Sequence, residues 1–119
     1  MTHDELIKLY PEFFPENFCF EHCDGWLWIV DDLCNTLRFL LEGHPTCDFK
    51  FTQIKEKFGS IRVYFKFETD DVFNHDLIYD AMAKAEEKSS VTCEVCGEPG
   101  THMSPKGWIK VRCDAHKGE

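Results

Sequence analysis

Near the C-terminal end, residues 92–97 read Thr-Cys-Glu-Val-Cys-Gly and residues 112–116 read Arg-Cys-Asp-Ala-His. Each segment holds two metal-ligand side chains separated by two residues, and 16 residues lie between the two pairs. A short turn with this spacing presents two ligands to one ion, and zinc takes four such ligands in a tetrahedron. The spacing therefore predicts a structural zinc site closed by four protein ligands. These ligands are Cys93, Cys96, Cys113 and His116.

The sequence around these pairs favours a zinc ribbon. Gly97 directly follows the second cysteine and supplies the positive φ that such a turn often needs. Residues 107–112 alternate between apolar and polar side chains, as a strand does. Two alternatives stay open: His102 as the fourth ligand, and a redox-active pair made by the first two cysteines. The redox alternative leaves the second pair of ligands without a role.

Upstream of this segment, the residue pattern predicts helices. Thr2 and Glu5 form a capping box for a short first helix that ends near Pro11. From position 26 to position 41, apolar residues recur at three- and four-residue spacing, which predicts a longer amphipathic helix. We expect Asp24 to cap its start and Gly43 to take the left-handed position after its end.

The apolar period then changes to two residues. Residues 49–52 and 61–68 alternate on either side of a break at residues 58–60, which predicts a β-hairpin. A third helix is expected over residues 73–88, with the pair Asp70-Asp71 as candidate N-caps. The fold class is therefore α+β, with helices packed on a β-hairpin and a zinc ribbon at the C-terminal end.

Length, charge and cysteine usage place this fold in a class of protein. We expect a single domain over residues 1–119, with a core at 1–90 and the ribbon at 91–119. The net charge of −9 repels nucleic acid, so DNA and RNA are not expected partners. We see no leader-peptide pattern and no apolar run near the roughly 20 residues that span a bilayer. Seven cysteines then indicate free or metal-bound thiols in a reducing cytoplasm.

One stretch departs from the acidic background. Residues 50–67 carry five Lys or Arg residues and one Glu, a local charge of +4, with aromatic residues between them. Cations beside rings on a strand face can bind a planar anion such as a nucleotide. The alternative is an ordinary solvated strand whose lysines prevent edge-to-edge aggregation. The predicted ligand-binding residues are Lys55, Lys57, Arg62 and Tyr64 from the hairpin, and Trp108 and Arg112 from the ribbon.

The remaining reactive side chains form less specific patterns. No cysteine lies in a recognisable strand-to-helix elbow with a histidine and a third orienting group, and no Gly-rich phosphate loop is present. We therefore expect no enzymatic activity. A second metal site stays open, although cysteines are often simply buried hydrophobic residues. Its candidate ligands are Cys19, His22, Cys23, His44 and Cys47.

Several segments together resemble a group of small proteins encoded by tailed phages and prophages. In that group a KEKFG-[GS]-[LI]-R-[FV]-Y stretch precedes a CE-x-CG-x-PG zinc turn. Residues 55–64 and 93–100 carry these motifs here, with Ser60 where a second Gly is expected, and Gly25-Trp26 and Gly107-Trp108 add to the likeness. The resemblance covers most of the chain from residue 25 onward.

The resemblance implies an accessory role inside an infected or lysogenic bacterium, where small phage proteins often act by binding. We expect a non-enzymatic binding protein of the bacterial cytoplasm that sequesters an anionic small molecule, such as a signalling nucleotide of host defence. The alternative is an acidic inhibitor that mimics DNA and docks on a host protein. A minor enzyme is a third hypothesis, and a pocket shared between two copies in a homo-oligomer stays open.

Overall fold

The computed structural model describes residues 1–119, apart from the side chain of residue 105. Three α-helices and two antiparallel hairpins follow one another along the chain, which confirms the predicted α+β fold. Among these residues, no helix has the length and apolar character needed to cross a membrane. In chain order the elements are α1 (His3–Leu9), α2 (Leu27–Leu41), β1 (Asp48–Lys57), β2 (Ser60–Glu68), α3 (Asp76–Ser89), β3 (Thr101–Met103) and β4 (Lys110–Arg112).

The long hairpin β1–β2 is the centre of the fold. Its antiparallel register leaves only Phe58 and Gly59 in the turn, at the predicted break. Both residues have positive φ values, 54° and 82°, which is the geometry of the two-residue turn whose twist matches the flanking strands. A bulge between Phe51 and Gln53 adds one residue to β1 and bends the strand.

One face of this hairpin forms the hydrophobic core with α2 and α3. Burial of a large apolar side chain contributes about 1.5–3 kcal/mol, so each such side chain on this face adds substantially to the stability of the fold. Its innermost side chains are each 2 % exposed or less: Phe49, Phe51, Ile54 and Ile61. The buried side chains of α2 recur at the predicted helical spacing: Leu27, Ile29, Val30, Leu33, Cys34 and Leu37.

The two edges of the hairpin differ. The aromatic loop between α1 and α2 covers the outer edge of β1, where Phe51 N donates to Phe13 O at 2.8 Å and Glu21 N donates to Ile54 O at 2.9 Å. The outer edge of β2 pairs with no strand in the described part of the chain. This free edge lies beside α3, whose Ser89 Oγ accepts a hydrogen bond from Ile61 N at 2.8 Å.

The predictions for the ends of the first two helices had mixed outcomes. Thr2 caps α1 as predicted, since its Oγ1 accepts a hydrogen bond from Glu5 N at 3.1 Å. Gly43 follows α2 with a φ of 80°, also as predicted. The prediction for Asp24 was wrong, because Asp24 begins a 3-10 turn and α2 starts only at Leu27, without a side-chain cap.

The predicted caps of α3, Asp70 and Asp71, were also wrong. This helix begins at Asp76, whose N–H donates to Asn74 Oδ1 at 3.0 Å. Asp71 accepts instead from Thr46 N at 3.3 Å, in the loop before β1. The Asp71 carboxylate therefore joins two loops instead of capping the helix as the local sequence pattern predicts.

The C-terminal segment packs directly on the start of α2. Trp26 is fully buried there, and its Nε1 donates to Thr92 O at 3.0 Å. The neighbouring Gly25 N donates to Glu94 O at 2.7 Å. In the segment itself, β3 and β4 pair antiparallel as a short ribbon. The ribbon and the helical core are thus joined through buried hydrogen bonds.

The buried side chain of His22 makes the fold sensitive to acid. Burial lowers the pKa of His22 below the ordinary value of 6.5, against the opposing effect of its contact with Cys23 O. At pH values between the pKa of the folded state and 6.5, the unfolded chain therefore binds more protons at this residue than the folded chain does. As a result, the free energy of unfolding falls as the pH drops from 6.5 towards the lower pKa of the folded state.

We expect His22→Gln to flatten this pH dependence by up to about 1.4 kcal/mol per pH unit, the effect of one proton. Urea unfolding at several values between about pH 5 and pH 7 measures the slope. The matched control is His75→Gln, because His75 is exposed at the start of α3. Equal slopes for His22→Gln and the wild-type chain would contradict the prediction.

Candidate functional site

Two tight turns build the C-terminal cluster. In the first turn, Gly97 N donates to Cys93 O at 2.9 Å, and Gly97 has the predicted positive φ, 83°. In the second turn, His116 N donates to Cys113 O at 3.1 Å. Pairing of β3 with β4 brings the two turns together. The sequence spacing and the antiparallel ribbon therefore act jointly to place the four ligands.

The ligand atoms of Cys93, Cys96, Cys113 and His116 all lie within 4.8 Å of one another. The sulfurs of Cys96 and Cys113 are 3.7 Å apart, and His116 Nδ1 lies 3.2 Å from Cys113 Sγ and 3.7 Å from Cys93 Sγ. A tetrahedral ion with usual zinc bond lengths requires edges of about 3.8 Å between sulfurs and about 3.5 Å between sulfur and nitrogen. The four side chains therefore form a cluster that fits one metal ion.

The electrostatic setting of this cluster favours a thiolate. Burial disfavours ionisation of the fully buried Cys93, but backbone N–H donors of Cys113, Cys96 and Val95 outweigh this effect and lower the pKa of Cys93 to about 6. The thiolate is the form that binds metal. Backbone N–H groups of both turns thus stabilise the thiolate form of Cys93.

The other predicted metal ligands lie elsewhere. His102 is on β3, where its ring lies next to the hairpin turn at Gly59 and outside the cluster. Of the five candidates for a second site, only His44 and Cys47 come together, and Asp71 joins them. In the part of the chain that the structure describes, Cys19, His22 and Cys23 belong to no such group.

Arg112 has a structural role that the sequence analysis missed. Its side chain is 6 % exposed, and its Nη1 lies 3.3 Å from Glu94 Oε1, whose side chain is 5 % exposed. The same guanidinium donates to Val111 O at 3.0 Å and to Glu119 O at 3.2 Å. These contacts engage Nε and Nη1 of Arg112, so its guanidinium joins the ribbon to Glu94 and to the last residue of the chain. A role of Arg112 in ligand binding stays a prediction.

The other predicted hairpin residues share one face. Lys55 is directly opposite Arg62 in the register, and side chains alternate along a strand, so Lys57 and Tyr64 point to the same side. The Lys55 ammonium lies 5.6 Å from the centre of the Tyr64 ring. Arg62 is partly engaged, since its Nη1 is 2.8 Å from Glu86 Oε1 on α3.

Trp108 lies at the turn end of this hairpin. This residue is 72 % exposed and borders a small cavity together with Lys57 and Phe58. Tyr64 lies four residues from Ser60, where β2 leaves the turn, which is about 13 Å along the strand. The predicted residues are therefore divided between the turn end and the middle of the hairpin face.

A groove between the free edge of β2 and the start of α3 was not anticipated. Its volume is about 750 Å³, within the range of small-molecule sites. Tyr64 belongs to it, but His75 and Tyr79 from α3 carried no local signal, because their position beside β2 is a long-range contact. The lining residues are Thr52, Val63, Tyr64, Phe65, Lys66, Phe67, His75, Ile78 and Tyr79.

Comparison with known proteins gives no assignment. No protein-family model matches the chain, and no significant match is found among curated proteins or solved structures. The C-terminal cluster and the groove are therefore the features of this chain that point to a function.

Gly25 sets the distance between the start of α2 and the C-terminal cluster of ligand side chains. A Cβ atom at this position would overlap the carbonyl oxygens of Cys93 and Glu94. These are backbone atoms, so no side-chain rotation can relieve the overlap. Only a residue without a side chain allows the first metal turn to pack this closely on the helix.

We expect Gly25→Ala to lower the free energy of unfolding by at least about 1–3 kcal/mol, the usual effect of overpacking. Urea denaturation of the metal-loaded protein measures the loss. The control is Gly118→Ala, because a Cβ at Gly118 meets no atom within 4 Å. The interpretation fails if the two variants are equally stable.

Proposed function

We propose that this chain is a zinc-braced, non-enzymatic binding protein that holds a planar anionic small molecule in the groove between β2 and α3. The proposal has two parts, the identity of the metal and the chemistry of the ligand. The first part is supported by the donor atoms of the C-terminal cluster. The second is supported by the residues that line the groove.

Zinc is the metal that the donor atoms favour. Three thiolates and one imidazole are a common ligand set of structural zinc, and soft ligands disfavour magnesium and calcium. Four protein ligands complete a tetrahedron and leave no position for water, so the ion would act as a brace. Because the ligands are assembled only in the folded chain, the free energy of zinc binding would stabilise the ribbon.

We expect Cys96→Ser to bind one zinc per chain fewer than the wild type. Cys96 is exposed, so the smaller oxygen leaves no buried cavity, and the loss reflects the missing ligand. Native mass spectrometry of protein purified without chelator counts the ions. The control is Cys19→Ser, an exposed cysteine outside the cluster. Equal zinc content in the two variants would remove Cys96 from the site.

The charge and the aromatic residues of the groove lining support the binding of an anion. None of its nine lining residues is acidic, although the whole chain has a net charge of −9. Lys66 forms no ion pair among the described residues, so its ammonium is available to an anion. The residues Tyr64 and Tyr79 are 44 % and 61 % exposed. Exposed rings beside a free cation suit a base with an attached phosphate.

The position of the groove suggests which of the predicted residues would contact a ligand. Tyr64 links the groove to the cationic face of the hairpin, where Lys55 lies beside its ring. We therefore assign stacking to Tyr64 and Tyr79, and charge recognition to Lys66, with Lys55 as a second cation beside the Tyr64 ring. Arg62 is partly neutralised by its ion pair on α3 and would contribute less.

The resemblance to phage-encoded proteins suggests a biological setting for such binding. A nucleotide that signals in bacterial defence has the planar base and the phosphate that this groove would accept. Holding it away from its receptor would suppress the defence without any chemical reaction. Sequestration of this kind requires protein in amounts comparable with those of the ligand.

We expect Tyr64→Ala to raise the Kd of the bound nucleotide by roughly 5- to 150-fold, because stacking of a base on a ring contributes about 1–3 kcal/mol. A thermal-shift screen of mono-, di- and cyclic nucleotides identifies the ligand, since binding to the folded state raises Tm. Isothermal titration calorimetry then measures Kd for the wild type and the variant.

Two comparisons make this experiment specific. Lys66→Gln should weaken binding of the nucleotide but not of the matching nucleoside, which lacks the phosphate. Lys84→Gln removes the same charge from an exposed lysine on α3 outside the groove, and should leave Kd unchanged. A panel that gives no shift, or an unchanged Kd in Tyr64→Ala, would rule out this ligand site.

A further inference from the structure

We propose a second metal site at the end of the hairpin opposite its turn, where His44, Cys47 and Asp71 would bind a divalent transition metal such as zinc. One nitrogen, sulfur or carboxylate oxygen atom from each residue lies within 4.8 Å of the other two. All three residues are half-buried. Imidazole, thiolate and carboxylate are the three kinds of side-chain ligand that zinc accepts.

The first two ligands repeat the local geometry of the C-terminal cluster. His44 and Cys47 are separated by two residues, the spacing of Cys113 and His116. Cys47 N donates to His44 O at 3.0 Å, and His116 N donates to Cys113 O at 3.1 Å. The chain enters this turn directly after Gly43, whose φ of 80° ends α2. The turn therefore presents two adjacent ligands in the same way.

The third ligand comes from the loop after β2 and is already held in place. Asp71 Oδ2 accepts a hydrogen bond from Thr46 N at 3.3 Å, and Asp71 N donates to Thr69 Oγ1 at 3.0 Å. Cys47 Sγ lies 3.2 Å from the same Thr69 Oγ1. These bonds tie the two loops together, so the chain needs little rearrangement to bring the three ligands onto one ion.

The charge of this end of the molecule also favours a cation. Residues 42–48 and 68–76 carry six carboxylates and no Lys or Arg. Asp48 and Glu68 lie directly opposite each other in the register of the hairpin, and like charges at such positions destabilise a strand pair. Lys50 Nζ, 3.3 Å from Asp48 Oδ1, offsets only part of this repulsion because the pair is exposed. A divalent ion bound by Asp71 would reduce this repulsion.

The second site is separate from the first. The ten residues of β1 span about 30 Å at the usual rise of a strand. The ribbon packs at the other end of the hairpin, where His102 lies next to Gly59. The two sites would thus brace opposite ends of the hairpin. With only three protein ligands, the second ion would keep one position open to water or to a small ligand.

A zinc titration of the full chain with matched variants tests the proposal. We expect the wild type to bind two zinc ions per chain in native mass spectrometry. Asp71→Asn should lower the affinity for the second ion by at least about 10- to 100-fold, since even changes in residues that only contact a metal ligand have effects of this size. Competition with a chromophoric chelator measures this affinity. Asp70→Asn is the control, because it removes the same charge from the adjacent exposed residue, which lies outside the cluster.

Cys47→Ser provides an independent measurement. It should bind one zinc ion per chain, and its cobalt-loaded form should show weaker thiolate-to-cobalt charge-transfer absorption than the wild type. A wild-type chain that binds a single zinc ion would overturn the proposal. It would also be overturned if Asp71→Asn and Asp70→Asn bound the second ion equally, with circular dichroism confirming that both are folded.

Discussion

Glu94 joins the C-terminal cluster both to the residues before α2 and to β4 of the ribbon. Its carbonyl accepts from Gly25 N at 2.7 Å, and its amide donates to Val111 O at 3.2 Å. Its carboxylate accepts from Cys23 N at 3.0 Å and pairs with Arg112 at 3.3 Å. A carboxylate on a side chain that is 5 % exposed is tolerated only because these partners compensate for its lost hydration. Since Glu94 lies between Cys93 and Cys96, an ion held by the cluster would be coupled physically to the docking of the ribbon.

The docked ribbon is one of several elements that hold the hairpin in place. The ribbon contacts the turn at Gly59, and the loop between α1 and α2 covers the outer edge of β1. α3 lies beside the remaining edge of β2, so a groove stays open between them. Its two walls are each held by contacts elsewhere in the fold. A site whose walls are already ordered loses less conformational entropy when a ligand binds.

Charge is distributed unevenly along the same hairpin. Lysines and aromatic rings occupy its outer face, whereas the end near Asp48 and Glu68 is acidic. A net charge of −9 therefore conceals one surface suited to anions and another suited to cations. Fields of this kind raise the local concentration of a ligand of opposite sign. The two proposed sites differ in ligand because the sequence places opposite charges at different positions along one pair of strands.

Local patterns in the sequence determined the elements of this protein. The spacing of Cys93 and Cys96, the period-two alternation around Gly59 and the helical spacing of α2 each depend on neighbours in the chain, so they could be predicted. Only the tertiary structure decided the rest: the burial of Arg112, and the use of Asp71 in a contact between loops in place of a helix cap. These features depend on residues distant in sequence, and burial or a long-range hydrogen bond outweighs the weak local preference of a single side chain.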